Sequence, residues 1–395
     1  MMAERTDLTM PLGPQWAEIR DGVTKVCEGF PNAYWTKLDK ESAYPTEFVQ
    51  ALTEAGYLGA LIPEQYGGAG LTLSAACAIL ETIHATGCNA AACHAQMYTM
   101  ATVLRYGSEA QKEKYLPGIA SGALRLQAFG VTEPTTGSDT TQLKTRAEKK
   151  GNDRYIVNGQ KVWTSRAMQS DLMLLLARTT PADQVKKRSD GLSVFIVDLK
   201  EARGRGVELR KIEAMINHNT CEVFIDNLEV PAENLIGEEG KGFRYIVDSM
   251  NAERILIASE CIGDGKYFIR KGSDYAKERV VFGRPIGQNQ GIQFPIARAY
   301  TELSAADLMV AKAAALFEAG AACGTEANMA KMLAAEASWK AAEACLATFG
   351  GFGFASEYGI ERKWRETRLY QTAPISTNMI LAFLAQHVLG LPRSY

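Results

Sequence analysis

The chain has 395 residues, 47% of them hydrophobic and 22% charged, with a formal net charge of −2. That is enough chain for two or three packed units and too apolar a mixture for a disordered protein. The near-neutral balance gives no reason to expect a nucleic-acid partner, and no apolar run approaches the ~20 residues a membrane-spanning helix needs. The N-terminal Met1-Met-Ala-Glu-Arg-Thr-Asp-Leu8 shows neither a secretory apolar core nor an acid-free, Arg/Ser-rich transit pattern, which predicts a cytoplasmic protein. Eight cysteines lie scattered in apolar surroundings without a Cys-x-x-Cys pair and read as reduced core thiols. The four histidines are widely separated and show no metal-ligand spacing, so no metal site is expected.

Along the chain, residues up to about 125 read as helices. One is expected at about 45–55, followed by the Gly67-Gly-Ala-Gly70 break. Apolar residues recur at three- and four-residue spacing over 73–84, after a possible cap at Thr72. Further helices are expected over 91–106 and 111–119. Strand signals follow: an apolar run at 172–177, a β-branched run at 192–197 and alternation at 221–226, divided by Gly-containing turns. The Asn158-Gly159 pair predicts a hairpin turn, which would put Trp163 and Ser165 on the strand after it. After Pro231, long Ala-rich helices run to the end, broken at 350–353. The expectation is an α+β multidomain chain: an N-terminal all-α domain (1–125), a middle antiparallel β-barrel-like domain (126–235) and a C-terminal four-helix bundle (236–395).

Four segments carry chemistry. Phe129-Gly-Val-Thr-Glu-Pro-Thr-Thr-Gly-Ser-Asp139 crowds Pro134 and Gly137 among hydroxyl side chains, which can line something polar and planar or make an ordinary Ser/Thr-rich turn. Tyr155-Ile-Val-Asn-Gly-Gln-Lys-Val-Trp-Thr-Ser165 presents Trp163, a core aromatic or a wall for a ring. Arg279-Val-Val-Phe-Gly-Arg-Pro-Ile-Gly-Gln-Asn-Gln290 offers a guanidinium whose donor fork matches phosphate oxygens. Phe349-Gly-Gly-Phe-Gly-Phe354 lets backbone N–H groups approach an anion. No Gly-x-Gly-x-x-Gly follows a strand, which excludes a Rossmann reading.

These segments, in this order, resemble the acyl-CoA dehydrogenase family over nearly the whole chain. The resemblance implies FAD as cofactor. It assigns Phe129, Val131, Thr132 and Ser138 to the first contact segment, Trp163, Thr164 and Ser165 to the flavin ring, and Arg279, Phe282 and Gln290 to the ADP half, reached from a neighbouring subunit. Phe349, Gly350 and Gly351, with Thr372 and Ala373, complete the cofactor set. Where the family usually has Gln, two residues before Phe349, this chain has Ala347. The resemblance further implies an acyl-CoA substrate, a trans-2-enoyl-CoA product, an electron-transfer flavoprotein as acceptor and a homotetramer. Ser138, Asn251, Arg254 and Tyr370 would touch the substrate.

Oxidising an acyl thioester needs a base for the Cα proton and stabilisation of the thioester oxygen. Many family members use the Glu of Tyr-Glu-Gly-Thr; here Tyr370-Gln-Thr-Ala373 holds Gln371, an amide that cannot be a base. Gly240-Lys-Gly-Phe243 followed by Met250-Asn-Ala-Glu-Arg-Ile-Leu-Ile-Ala258 is similar to the subset, isovaleryl- and long-chain-type, with the base on another helix. This makes Glu253 the expected base, with a pKa raised by burial, Arg254 its orienting neighbour and the Gln371 N–H an oxyanion donor. An oxidase or flavin monooxygenase of the same fold, and a non-catalytic acyl-CoA-binding protein, are the alternative readings.

Overall fold

The computed structural model describes residues 14–393, so the N-terminal stretch 1–8 lies outside the described residues. In chain order the helices and strands are α1 (Ala17–Glu28), α2 (Asn32–Glu41), α3 (Thr46–Glu54), α4 (Leu73–Thr86), α5 (Ala91–Tyr106) and α6 (Glu109–Ser121), then β1 (Leu126–Gly130), β2 (Arg146–Lys150), β3 (Arg154–Ser165), β4 (Leu172–Arg178), β5 (Leu192–Asp198), the short α7 (Leu199–Ala202), β6 (Val207–Lys211), β7 (Thr220–Pro231) and β8 (Leu235–Ile236). They continue with α8 (Gly242–Glu278), the small hairpin β9 (Val280–Val281) and β10 (Arg284–Pro285), α9 (Gln290–Glu318), α10 (Gly324–Phe349), α11 (Ile360–Arg368) and α12 (Thr377–Phe383). Helices, then a sheet, then long helices is the order the sequence predicts. None of the described helices is long and apolar enough to cross a membrane.

By backbone contacts the chain forms two compact units, one of residues 42–71 and 91–250, the other of the flanking segments, 72–90 and 251 onward. The first unit holds the sheet. Its strand order is β6-β7-β3-β2-β4-β5-β8, with β1 beside β4. Antiparallel ladders predominate, and β1 and β2 pair with β4 in parallel, so the sheet is mixed. Every residue of β4 is buried, and Tyr155, Val157, Leu175, Phe195, Val223 and Ile225 form its core. Burying each such side chain stabilises the unit by roughly 1.5–3 kcal/mol. In the same unit α6 starts with a capping box: the Gln111 N–H donates to Ser108 Oγ (3.2 Å) while the Ser108 N–H donates to Gln111 Oε1 (3.0 Å).

The Asn158-Gly159 pair is not a hairpin turn. β3 runs unbroken through it, and the β2–β3 connection is the turn at 151–153. A register shift between Val157 and Gly159 marks a bulge against β7, and the Asn158 carboxamide accepts the Asn227 N–H at 2.8 Å. Glycine is required there because a Cβ would stand 2.6 Å from the Thr145 Cα. A turn signal has been spent on a close approach between strands.

Most of α8, at 37 residues the longest of the described helices, belongs to the second unit, which it enters at Asn251, and it is largely buried from Ala252 to Ile269. Close packing on it depends on glycine: a Cβ at Gly263 would meet the Glu81 carbonyl at 2.2 Å, and one at Gly265 would meet Leu303 at 2.4 Å. α10 contributes a face of small residues, Ala327, Ala330, Ala334, Ala337 and Ala341, all buried.

Candidate active site

In the sheet-bearing unit, a buried ion pair holds the segment after β1. Lys161, fully buried on β3, donates to Glu133 Oε1 (2.9 Å) and to the Val131 carbonyl (3.1 Å). The Glu133 carboxylate also accepts the N–H groups of Lys144 (2.6 Å) and Thr145 (2.8 Å). Burial pushes the Glu133 pKa up, but the Lys161 charge and these donors more than offset it, leaving it below the usual value. Burial pulls the Lys161 ammonium down to about 8, against the attraction of Glu133. Three bonds on one carboxylate, with the Lys161 bond to the Val131 carbonyl, fix the backbone on both sides of Thr132, whose carbonyl accepts the Val162 N–H at 2.9 Å. Phe129 packs its ring edge-on to Tyr98, and Gly137 and Ser138 are exposed, with open space where a Gly137 side chain would lie.

The end of β3 departs from regular strand geometry. Trp163 has φ +61° and is 59% exposed, at a register shift between Lys161 and Thr164. A bulky residue in left-handed backbone is strained, and a bulge that turns a large apolar ring outward is the arrangement of a contact surface. Ser165 Oγ lies 3.3 Å from Thr220 Oγ1. The hydroxyls of Thr136 and Thr164 are buried and find no hydrogen-bond partner among the described residues. An exposed indole, next in sequence to the orphaned Thr164 hydroxyl, suits a planar, hydrogen-bonding ring such as a flavin.

In the other unit, Glu253 and Arg254 are each 8% exposed on α8. Arg254 Nη1 donates to Asn251 Oδ1 (3.0 Å), and its Nε is buried without a partner among the described residues. Burial lowers the guanidinium pKa, opposed by the Glu253 charge. Gln371 ends the turn Leu369–Gln371, half-buried; the N–H groups of Thr372 and Ala373 both donate to the Leu369 carbonyl (2.9 and 3.0 Å). Tyr370 is buried, its ring edge-on to His84. A residue that the sequence did not single out grips this turn. Lys331, fully buried on α10, donates to the carbonyls of Tyr370 and Ile375, the latter at 2.7 Å. Burial lowers its pKa to about 8, with Cys261 opposing, Arg254 adding to the fall, and Glu253 and Glu336 opposing more weakly. Its spacing on the apolar face, with Ala327, Ala334 and Ser338, is the signal that could have drawn attention to it.

His84 belongs to a structural network. Its Nε2 accepts the Ala90 N–H (3.1 Å), so Nδ1 carries the proton toward Asp264 (2.8 Å). Lys363 also contacts Asp264, and Thr367 donates to it at 2.8 Å. Burial raises the Asp264 pKa, but Lys363 and His84 together bring it down to about 2. Among the described residues no cluster of His, Cys, Asp or Glu could hold a metal, and all eight cysteines are free and buried.

A third group surrounds a cavity of about 480 Å³ whose lining includes Arg279, Ile286, Thr348, Phe349, Gly350 and Gly351. Phe349 is stacked on Tyr275 at 4.1 Å, and the Arg279 guanidinium lies over Phe352. Gly350, at φ +58°, and Gly351 have open space where side chains would stand, which leaves their backbone accessible to an anion. Ala347 is exposed and Gln290 opens α9. Beside the cavity, the β9–β10 hairpin turns on Phe282 and Gly283 at φ +52° and +78°. Phe282 is fully exposed, an aromatic ring held out from its own unit at a backbone cost.

The residues present fit FAD: a cradle of guanidinium and glycine backbone for pyrophosphate, and an indole with unpartnered hydroxyls for the ring. Three family models match the chain: "Acyl-CoA dehydrogenase, N-terminal domain" over residues 14–123, "middle domain" over 128–228 and "C-terminal domain" over 240–389. An acyl-CoA dehydrogenase of Mycobacterium bovis is 33% identical over 393 residues, covering 99% of this chain and all of the relative. A glutaryl-CoA dehydrogenase of Desulfococcus multivorans is 34% identical, with 95% and 96% covered. Among solved structures, glutaryl-CoA dehydrogenase with glutaryl-CoA superposes with TM-score 0.87 at 31% identity, covering 97% of both chains. Butyryl-CoA dehydrogenase from Megasphaera elsdenii superposes with 0.88 at 26% identity, covering 96% of this chain and 99% of its own. The chain belongs to the acyl-CoA dehydrogenase family. It is an oxidoreductase acting on acyl-CoA, and its cofactor is FAD.

Proposed function

We propose that this enzyme removes the Cα proton of an acyl-CoA thioester through Glu253 and yields the trans-2-enoyl-CoA. The observation that carries the proposal is a buried carboxylate, Glu253, beside Arg254 and Asn251, in a chain whose position 371 holds an amide. When bound, FAD supplies the acceptor for the Cβ hydride. Glu253 takes the Cα proton as negative charge develops on the thioester oxygen. The Gln371 N–H donates to that oxygen, a role that needs backbone alone. Arg254 orients the carboxylate and Asn251, and Ser138 and Tyr370 complete the substrate contacts. Phe129, Val131, Thr132, Trp163, Thr164, Ser165, Thr372 and Ala373 hold the ring, and Arg279, Phe282, Gln290, Phe349, Gly350 and Gly351 hold the ADP half. Adding a panel of straight and branched acyl-CoAs without oxygen tests this: one class should bleach the flavin band within a turnover, and bleaching by none would contradict the reading.

Electrons then pass to an electron-transfer flavoprotein, and the assembly is a homotetramer. Family membership supports the first, and the exposed Phe282 hairpin supports a neighbouring subunit. Arg279→Ala should therefore weaken FAD binding and assembly together. Flavin content and sedimentation check this; a monomer that keeps flavin as tightly as wild type would contradict it. The alternatives, an oxidase or a monooxygenase on the same fold, predict rapid peroxide release or substrate oxygenation in air, whereas this enzyme with product bound should react slowly with oxygen.

A further inference from the structure

Lys331 is a costly residue for α10. A fully buried ammonium carries a desolvation penalty of several kcal/mol unless it is bonded and balanced. Its bonds go to two main-chain carbonyls, Tyr370 and Ile375, which bracket the segment 371–374. Two ordinary loop carbonyls do not need a charged donor. Burial disfavours its charge most; Cys261, Glu253 and Glu336 act in favour of the ammonium and Arg254 against it.

We propose that Lys331 is a positioning residue for proton abstraction: it clamps both ends of the 371–374 segment and so fixes the Gln371 N–H. The inference rests on the reading of Glu253 as base and Gln371 N–H as oxyanion donor. With the clamp in place the N–H is aimed before substrate arrives, so no reorganisation is needed as the oxygen charges. Without it, the carbonyls of Tyr370 and Ile375 lose their donor and the turn can relax away from that aim. In members that carry Glu at position 371 the segment bears the base itself; here it contributes only backbone, so its placement depends on what grips it.

The test uses the flavin-loaded enzyme and a 3-thia-acyl-CoA, in which sulfur replaces Cβ. This analogue can lose its Cα proton but has no hydride to give, and its anion against oxidised flavin absorbs at long wavelength. Lys331→Met should keep FAD and bind the analogue within about threefold of wild type. Flavin reduction by acyl-CoA should slow about a hundredfold, the scale of losing one aimed oxyanion donor. The pH midpoint for the long-wavelength band should move up by about one to two units. Wild-type rate and midpoint, even with lowered thermal stability, would overturn the proposal and leave Lys331 a structural residue only. Should Lys331→Met yield no flavoprotein, Lys331→Gln, which keeps one donor, should show the same two changes at about tenfold; normal behaviour there overturns the proposal equally. Glu253→Gln is the control. It should abolish the analogue band; if the band persists, the base reading itself fails, whereas loss of the band in Glu253→Gln with a normal Lys331→Met removes only this inference.

Discussion

Glu253→Gln is expected to slow flavin reduction by two to four orders of magnitude, roughly the contribution of a positioned general base. The substitution keeps the side-chain volume and a hydrogen-bonding end group, so the buried α8 surface should survive. Flavin content and acyl-CoA binding should stay near wild type, because neither the Arg279 cavity nor the Trp163 surface involves this residue. The loss should therefore fall on the rate and not on KM, as for an interaction made only in the transition state. Stopped-flow absorbance without oxygen, at saturating acyl-CoA, measures it.

Lys161→Met is expected to cost about 3–5 kcal/mol of stability, because it leaves the Glu133 carboxylate buried without its cation. The effect should reach the cofactor, since the same pair holds the Val131 carbonyl and the backbone around Thr132. Combined Lys161→Met and Glu133→Gln should recover much of the stability, as removing both charges leaves no unpaired ion. The wild type should show the matching acid dependence. A carboxyl whose folded pKa lies below its ordinary 4.5 contributes stability above that pH and loses it as pH falls through the folded value. Denaturant unfolding with flavin release as a second signal checks both statements.

Much of this architecture is legible in the residues. The apolar spacing over 73–84 falls within α4 and the helix expected over 91–106 coincides with α5, while the apolar runs at 172–177 and 192–197 fall within β4 and β5, which are buried on both faces. The apolar run after Glu253 likewise announces a buried helix. Asn158-Gly159 misleads because the dipeptide reports only backbone permissiveness, which a bulge uses as readily as a turn. Lys161 and Lys331 were illegible for another reason. A lysine among apolar residues reads as a snorkelling surface side chain until the carbonyls and carboxylate that receive its protons are placed in space. Phe282 could be named from its motif, but its complete exposure appears only with the hairpin that carries it.

The central claim, that the base stands at position 253 because position 371 has given it up, is tested most directly by moving it. Both residues lie in one unit, and Lys331 holds the carbonyl of the peptide that carries the Gln371 N–H. Wild type, Glu253→Gln and Glu253→Gln with Gln371→Glu should be mixed with acyl-CoA without oxygen and followed at the flavin band. The account predicts near-complete loss in the single variant and partial recovery in the double, with an altered chain-length preference. Recovery stays partial because Thr372 and Pro374 depart from the Gly-containing motif that usually follows the Glu. Bleaching of Glu253→Gln at the wild-type rate would contradict it.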